Sequence, residues 1–169
     1  MFNIPHIPAW DAIHPLIIHF PIVLLLMVPF FIVLGFLWKK HRQCFFMISF
    51  IVLILGVLAA FVAVASGKAG AKLVKMNNPE ISQNVEISNT LNRHQELGET
   101  TRTVFAILAV IYAGILFLPS LLKKELKPRL RLEMIAGFLI IYLICTLILA
   151  NTADHGGRLV YHFGIHAQI

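Results

Sequence analysis

The amino-acid sequence predicts an all-α integral membrane protein, a four-transmembrane-helix bundle with both termini on the non-cytoplasmic side. Composition is the first reason: 59% of the 169 residues are hydrophobic and 13% charged, with a mean hydropathy of +0.84. Soluble domains run near half apolar and about a quarter charged. Patterning is the second. The apolar residues gather into four blocks of about 20 residues, and at about 1.5 Å per residue each crosses a hydrocarbon core of roughly 30 Å. Charge is the third: eight of the 14 Lys and Arg residues crowd the two short connections between blocks one and two and between blocks three and four. The length suits one membrane domain over residues 1–169. The formal charge of +6 reads as a topology signal rather than a nucleic-acid surface, because no soluble module is left to carry one.

The first span is expected at about 16–38, retained rather than cleaved, since the first 38 residues contain no Lys or Arg and no small-residue cleavage site follows. It opens Ile13-His14-Pro15-Leu16-Ile17-Ile18-His19-Phe20-Pro21. Pro15 suits the first turn of a helix, where its missing N–H costs nothing, and Pro21 removes a further donor and bends the start. The basic turn Lys39-Lys40-His41-Arg42-Gln43 leads to span two, at about 44–66, which Gly67-Lys68-Ala69-Gly70 is expected to end. Residues 67–103 form a long connection with a turn signal at Asn77-Asn78-Pro79. From about Glu86, the helical spacing of Ile87, Leu91 and Leu97 predicts an outward extension of span three, at about 104–122. A second basic connection, Lys123 to Arg131, precedes span four at about 134–153, which the pair Gly156-Gly157 is expected to stop.

No Asp, Glu, Lys or Arg falls inside a span. Backbone groups in lipid must be satisfied within the segment, which makes all four spans helices. Both basic connections share one face, and the positive-inside rule makes it cytoplasmic. The 67–103 connection and both termini then face the other side, the periplasm for a multi-pass protein of the bacterial inner membrane.

Histidine is the unusual polar residue. Of eight, His41 belongs to the cytoplasmic turn, while His6, His14, His19, His94, His155, His162 and His166 all fall on the opposite side. Imidazole is a frequent metal ligand, and polar groups at membrane spans are functional candidates. His14 and His19, five residues apart, point roughly 140° apart on a regular helix and serve separate sites unless Pro21 distorts the turn. His94 precedes Gly98 by one turn, and a glycine there leaves room for a flat macrocycle. Arg93, Arg102 and Arg158 are available to pair with propionates. His155 stands beside Gly156-Gly157, where a histidine also interacts favourably with a helix C-terminus. His14, His19, His94 and His155 come from three helices to one end of one bundle, as bundle-core cofactor ligands do. The expected axial pair is His19 with His94, with His14 and His155 as a second. Cys44 and Cys145 belong to no C-x-x-C pattern, which excludes covalent c-type haem and a cysteine-built cluster.

Together these features point to a haem-b-binding electron-transfer subunit, with one or two non-covalent haems and quinone as a further candidate. A structural or assembly subunit without a cofactor, and a histidine-based copper or zinc protein, are the alternatives. Besides the lipid bilayer, the expected partners are redox membrane subunits or a c-type cytochrome, with room for an oligomer.

The run His14-Pro15-Leu16-Ile17-Ile18-His19-Phe20-Pro21-Ile22 resembles the opening of the four-helix membrane proteins called domain of unknown function 2231. Ala65-Ser66-Gly67 at the end of span two, a histidine leading span three (His94) and the closing run Gly156 to Gly164 are similar to that family in the same order. The chain has His162-Phe163 where the family often has a basic residue followed by histidine. The resemblance implies a redox-associated module in a quinol- or cytochrome-linked complex.

Overall fold

In the computed structural model, Trp10, residues 13–123 and residues 127–165 are described. His6, His166 and residues 124–126 of the second basic connection lie outside the described residues. The elements are α1 (His14–Ile17), α2 (His19–Leu37), a 3₁₀ turn at Lys39–His41, α3 (Arg42–Asn77), α4 (Pro79–Gln83), α5 (Val85–Leu121) and α6 (Pro128–Tyr161). Among the described residues, four segments are long and apolar enough to cross a membrane: His14–Leu37, Lys39–Asn77, Val85–Leu121 and Pro128–Tyr161. The α2 helix packs on α3 and α6, and α5 packs on both α3 and α6, so the four helices close into a ring.

The first span starts as the prolines dictate. Pro15 sits in the first turn of α1, and the helix is interrupted at Ile18 before α2 resumes at His19. Pro21 has no N–H to offer the Ile17 carbonyl, and the neighbouring bond, Ile22 N–H to Ile18 O, is long at 3.5 Å.

Two expected helix ends are corrected. The α3 helix does not stop at Gly67–Gly70 but runs to Asn77, and α6 does not stop at Gly156-Gly157 but runs to Tyr161. Glycine in a helix interior costs only about 1 kcal/mol against alanine, and here the glycines receive side chains from other helices. A Cβ on Gly67 would come within 2.8 Å of His14 Cε1, and one on Gly156 within 2.9 Å of His94 Cε1. The other two signals hold: α3 ends at Asn77, Pro79 opens α4, and α5 starts at Val85 with the Asn84 side chain accepting from the Glu86 and Ile87 amides.

The α3, α5 and α6 helices contain 36, 37 and 34 residues. At about 1.5 Å per residue they measure about 50–55 Å, well beyond a hydrocarbon layer of roughly 30 Å. The excess of α3 and α5 lies at the end away from the basic turns, so the bundle continues past its apolar spans there.

Within the spans, the core is apolar and aromatic: Leu25, Val28, Ile32, Phe46, Leu53, Phe105, Tyr112, Ile135, Phe138 and Tyr142 are fully or almost fully buried. Its few polar atoms are paired. Tyr112 OH donates to Ser49 Oγ at 2.8 Å, and Ser49 donates to the Phe46 carbonyl at 2.8 Å. Pro29 inside α2 leaves the Leu25 carbonyl without its helical partner, and Tyr142 OH donates to that carbonyl from α6 at 2.8 Å. Neighbouring helices satisfy freed backbone groups in this way where no water can. The outward faces carry Phe30, Ile51, Leu58, Val110, Ile140 and Leu147, all exposed, as a lipid-facing surface requires.

Candidate functional site

At the end of the bundle opposite the basic turns, α1, α2, α3, α5 and α6 line an open-sided cavity of about 1000 Å³. Small residues make its walls: Ala60, Ala63, Gly67 and Ala71 from α3, Gly98 from α5, Ala153, Gly156 and Gly157 from α6. Above it a small apolar cluster of Ala71, Leu91 and Leu159, with Phe163 and Ile165 packed against it, joins α3, α5 and the end of α6. The imidazoles of His14, His19 and His94 line the cavity.

His14 and His94 are adjacent, with ring centroids 6.3 Å apart and planes at 76°. Each ring is fixed from behind. His94 Nδ1–H donates to the Thr152 carbonyl of α6 at 3.0 Å. The Thr152 hydroxyl donates to the Ile148 carbonyl at 2.8 Å, so its oxygen accepts from the buried Thr101 hydroxyl of α5, also at 2.8 Å. Ser66 of α3, completely buried, donates its hydroxyl hydrogen to the Ala63 carbonyl at 3.1 Å. Its oxygen therefore accepts from His14 Nδ1–H, at 3.1 Å. His94 carries its proton on Nδ1, and so does His14 when the Ser66 hydrogen is on the Ala63 carbonyl; Nε2 of each ring lies outside these bonds. This is the arrangement of metal-binding histidines, whose other nitrogen donates to a carbonyl or similar acceptor.

The expected pairing of His19 with His94 is not the one the fold brings together. The ring beside His94 is that of His14, while His19 is exposed on the cavity's edge. The α5 helix begins 19 residues before its apolar run, so His94 lies in its outward extension, and the ring it meets there is that of His14 in α1. His155 is also apart: its Nδ1–H bonds its own helix at the Asn151 carbonyl, 3.0 Å away. His162 is exposed.

The three arginines point elsewhere. Arg93 pairs with Glu96 at 3.2 Å, Arg158 with Asp154 at 3.1 Å, and the Arg102 guanidinium lies over the Phe61 ring at 5.1 Å. Gly98 lines the cavity, but a Cβ there would make only ordinary contact with Val64, at 3.8 Å. As parts of the site, Ser66, Thr101 and Thr152 are not legible in the sequence, and Gly67 and Gly156 stand there only as expected helix stops and members of family-like runs. Small and hydroxylated residues acquire a role only through partners on other helices, and Ser66 is visible in the sequence only within the family-like run Ala65-Ser66-Gly67.

The donor set sorts the candidate ligands. Among the described residues no three His, Cys, Asp or Glu side chains come together to hold a metal ion, and a bare zinc site takes three or four protein ligands. Haem brings its own equatorial nitrogens and needs only axial ligands from the protein. His14 and His94, with ring centroids 6.3 Å apart, are the two imidazoles that would hold such a group. The glycines behind the rings make room for the imidazoles themselves, and alanines line the cavity beside them.

A protein-family model described as predicted membrane protein (DUF2231) matches residues 10–168. No curated protein and no solved structure matches the chain.

Proposed function

The chain belongs to the DUF2231 family of predicted membrane proteins, and we propose that it is a haem-b-binding electron-transfer subunit. One observation carries this reading. His14 and His94 arrive from different helices, each with Nδ1 hydrogen-bonded to a further helix, and line a roomy cavity with several glycines and alanines in its wall. These two residues would hold the haem iron, which supplies reversible one-electron chemistry when bound. The chain's own part is to orient the two rings, to keep water out with the apolar cap above them, and to set the cofactor's electronics through the acceptors behind each imidazole. With the basic turns on the cytoplasmic side, the site lies near the periplasmic face. It exchanges electrons there with a neighbouring quinol- or cytochrome-linked complex.

The same hydrogen bonds support a second reading, an assembly subunit in which His14 and His94 only fasten helices together. Metal analysis of the purified protein separates the two. The haem reading expects iron in proportion to protein, with copper and zinc at background; a metal-free, fully folded preparation supports the fastener reading.

A further inference from the structure

The cavity's side chains include one permanent cation and no anion. Lys68 of α3 lines it, while no Asp, Glu or Arg does, among the described residues. Lys68 directly follows Ser66, which holds the His14 ring, and Gly67, which receives it. Three consecutive residues thus supply a hydrogen-bond acceptor, a clearance and a charge to the same corner. The Lys68 ammonium is steered across to α5 by Glu99, at 2.6 Å. Both side chains are about half exposed, so their pairing adds little stability, and an ammonium with three donors keeps capacity for another acceptor. An apolar pocket with one fixed positive group selects a ligand by its body and orients it by its anion.

We propose that Lys68 is the anion-recognising residue of this cavity. The ligand is amphipathic, with an apolar body among the small residues and a carboxylate at the rim beside Lys68. This rests on the haem reading, in which the carboxylate is a porphyrin propionate. It replaces Arg93, Arg102 and Arg158 in that role, because Lys68 lines the cavity and none of the three arginines does. Glu99 competes with the ligand's carboxylate for the same ammonium.

A merely structural Lys68–Glu99 bridge makes a different prediction, because loss of either partner would then have the same effect. The full-length protein from haem-depleted cells is titrated in detergent with haem and with haem dimethyl ester, whose propionates carry no charge. Absorbance reports ligation for both. The wild type is expected to prefer the free acid by roughly three- to tenfold. Lys68→Met should erase that preference, and Glu99→Gln should keep or enlarge it. Equal affinity of the wild type for the two porphyrins, or parallel losses in Lys68→Met and Glu99→Gln, overturns the role of Lys68 while the haem reading stands. Failure of both porphyrins to bind the wild type removes both.

Discussion

His14 and His94 differ from the other histidines less in their chemistry than in what stands behind them. His94 leans on the Thr152 carbonyl and His14 on Ser66, and each ring fits over a glycine. Replacing either residue with alanine should abolish the same low-spin haem spectrum, whereas His41→Ala, in the basic turn, should leave it intact. Ser66→Ala keeps the His14 ring but removes its acceptor. Loss of such an outer partner typically weakens metal binding about 10–100-fold, so haem loss to a scavenging apoprotein should accelerate while the ligation spectrum persists. A Ser66→Ala protein that holds haem as tightly as the wild type would show that the hydroxyl does not position the ring. At this scale the sequence was half legible. Composition and topology brought His14, His19, His94 and His155 to one end, but choosing His14 over His19 depends on the axial offset between α1 and α5, and no local pattern encodes that offset.

Helices in this bundle are decided by packing where propensity and packing disagree. The spans themselves were legible, since apolar runs of membrane length are a local property. The continuation of α3 through Gly67 and of α6 through Gly156 was not, because the reason lies on another helix. The two adjacent glycines of α6 provide an internal comparison. A Cβ on Gly157 meets nothing within 4 Å, whereas one on Gly156 meets His94 Cε1 at 2.9 Å. Gly157→Ala should therefore stabilise the protein by up to about 1 kcal/mol through helix propensity and leave His94 in place. Gly156→Ala should displace the ring and weaken haem retention, which thermal unfolding together with the visible spectrum resolves. In α6, Tyr142→Phe should destabilise by about 1–3 kcal/mol, because it leaves the Leu25 carbonyl of α2 unpaired in the core. In a Pro29→Ala background, which restores the helical N–H, that cost should shrink; an unchanged cost would mean that Tyr142 contributes only packing.

For the whole molecule, the division of labour between the two ends follows from charge and length. Short basic turns close one end, and the overlong α3, α5 and α6 build the cavity at the other. The orientation this implies is checked by reporter fusions: those after Arg42 and Lys127 should report a cytoplasmic location, and those near Asn84 and the C-terminus the opposite side. Fusions near Asn84 that report the cytoplasm would move the cavity to the wrong face for periplasmic electron transfer. The central claim is tested most directly by the visible spectrum of the protein purified from haem-replete cells, recorded before and after reduction. A sharpened α-band and a shifted Soret band of low-spin, six-coordinate protohaem, extractable without breaking a covalent bond, are the expected result. A colourless, fully folded protein would contradict the account.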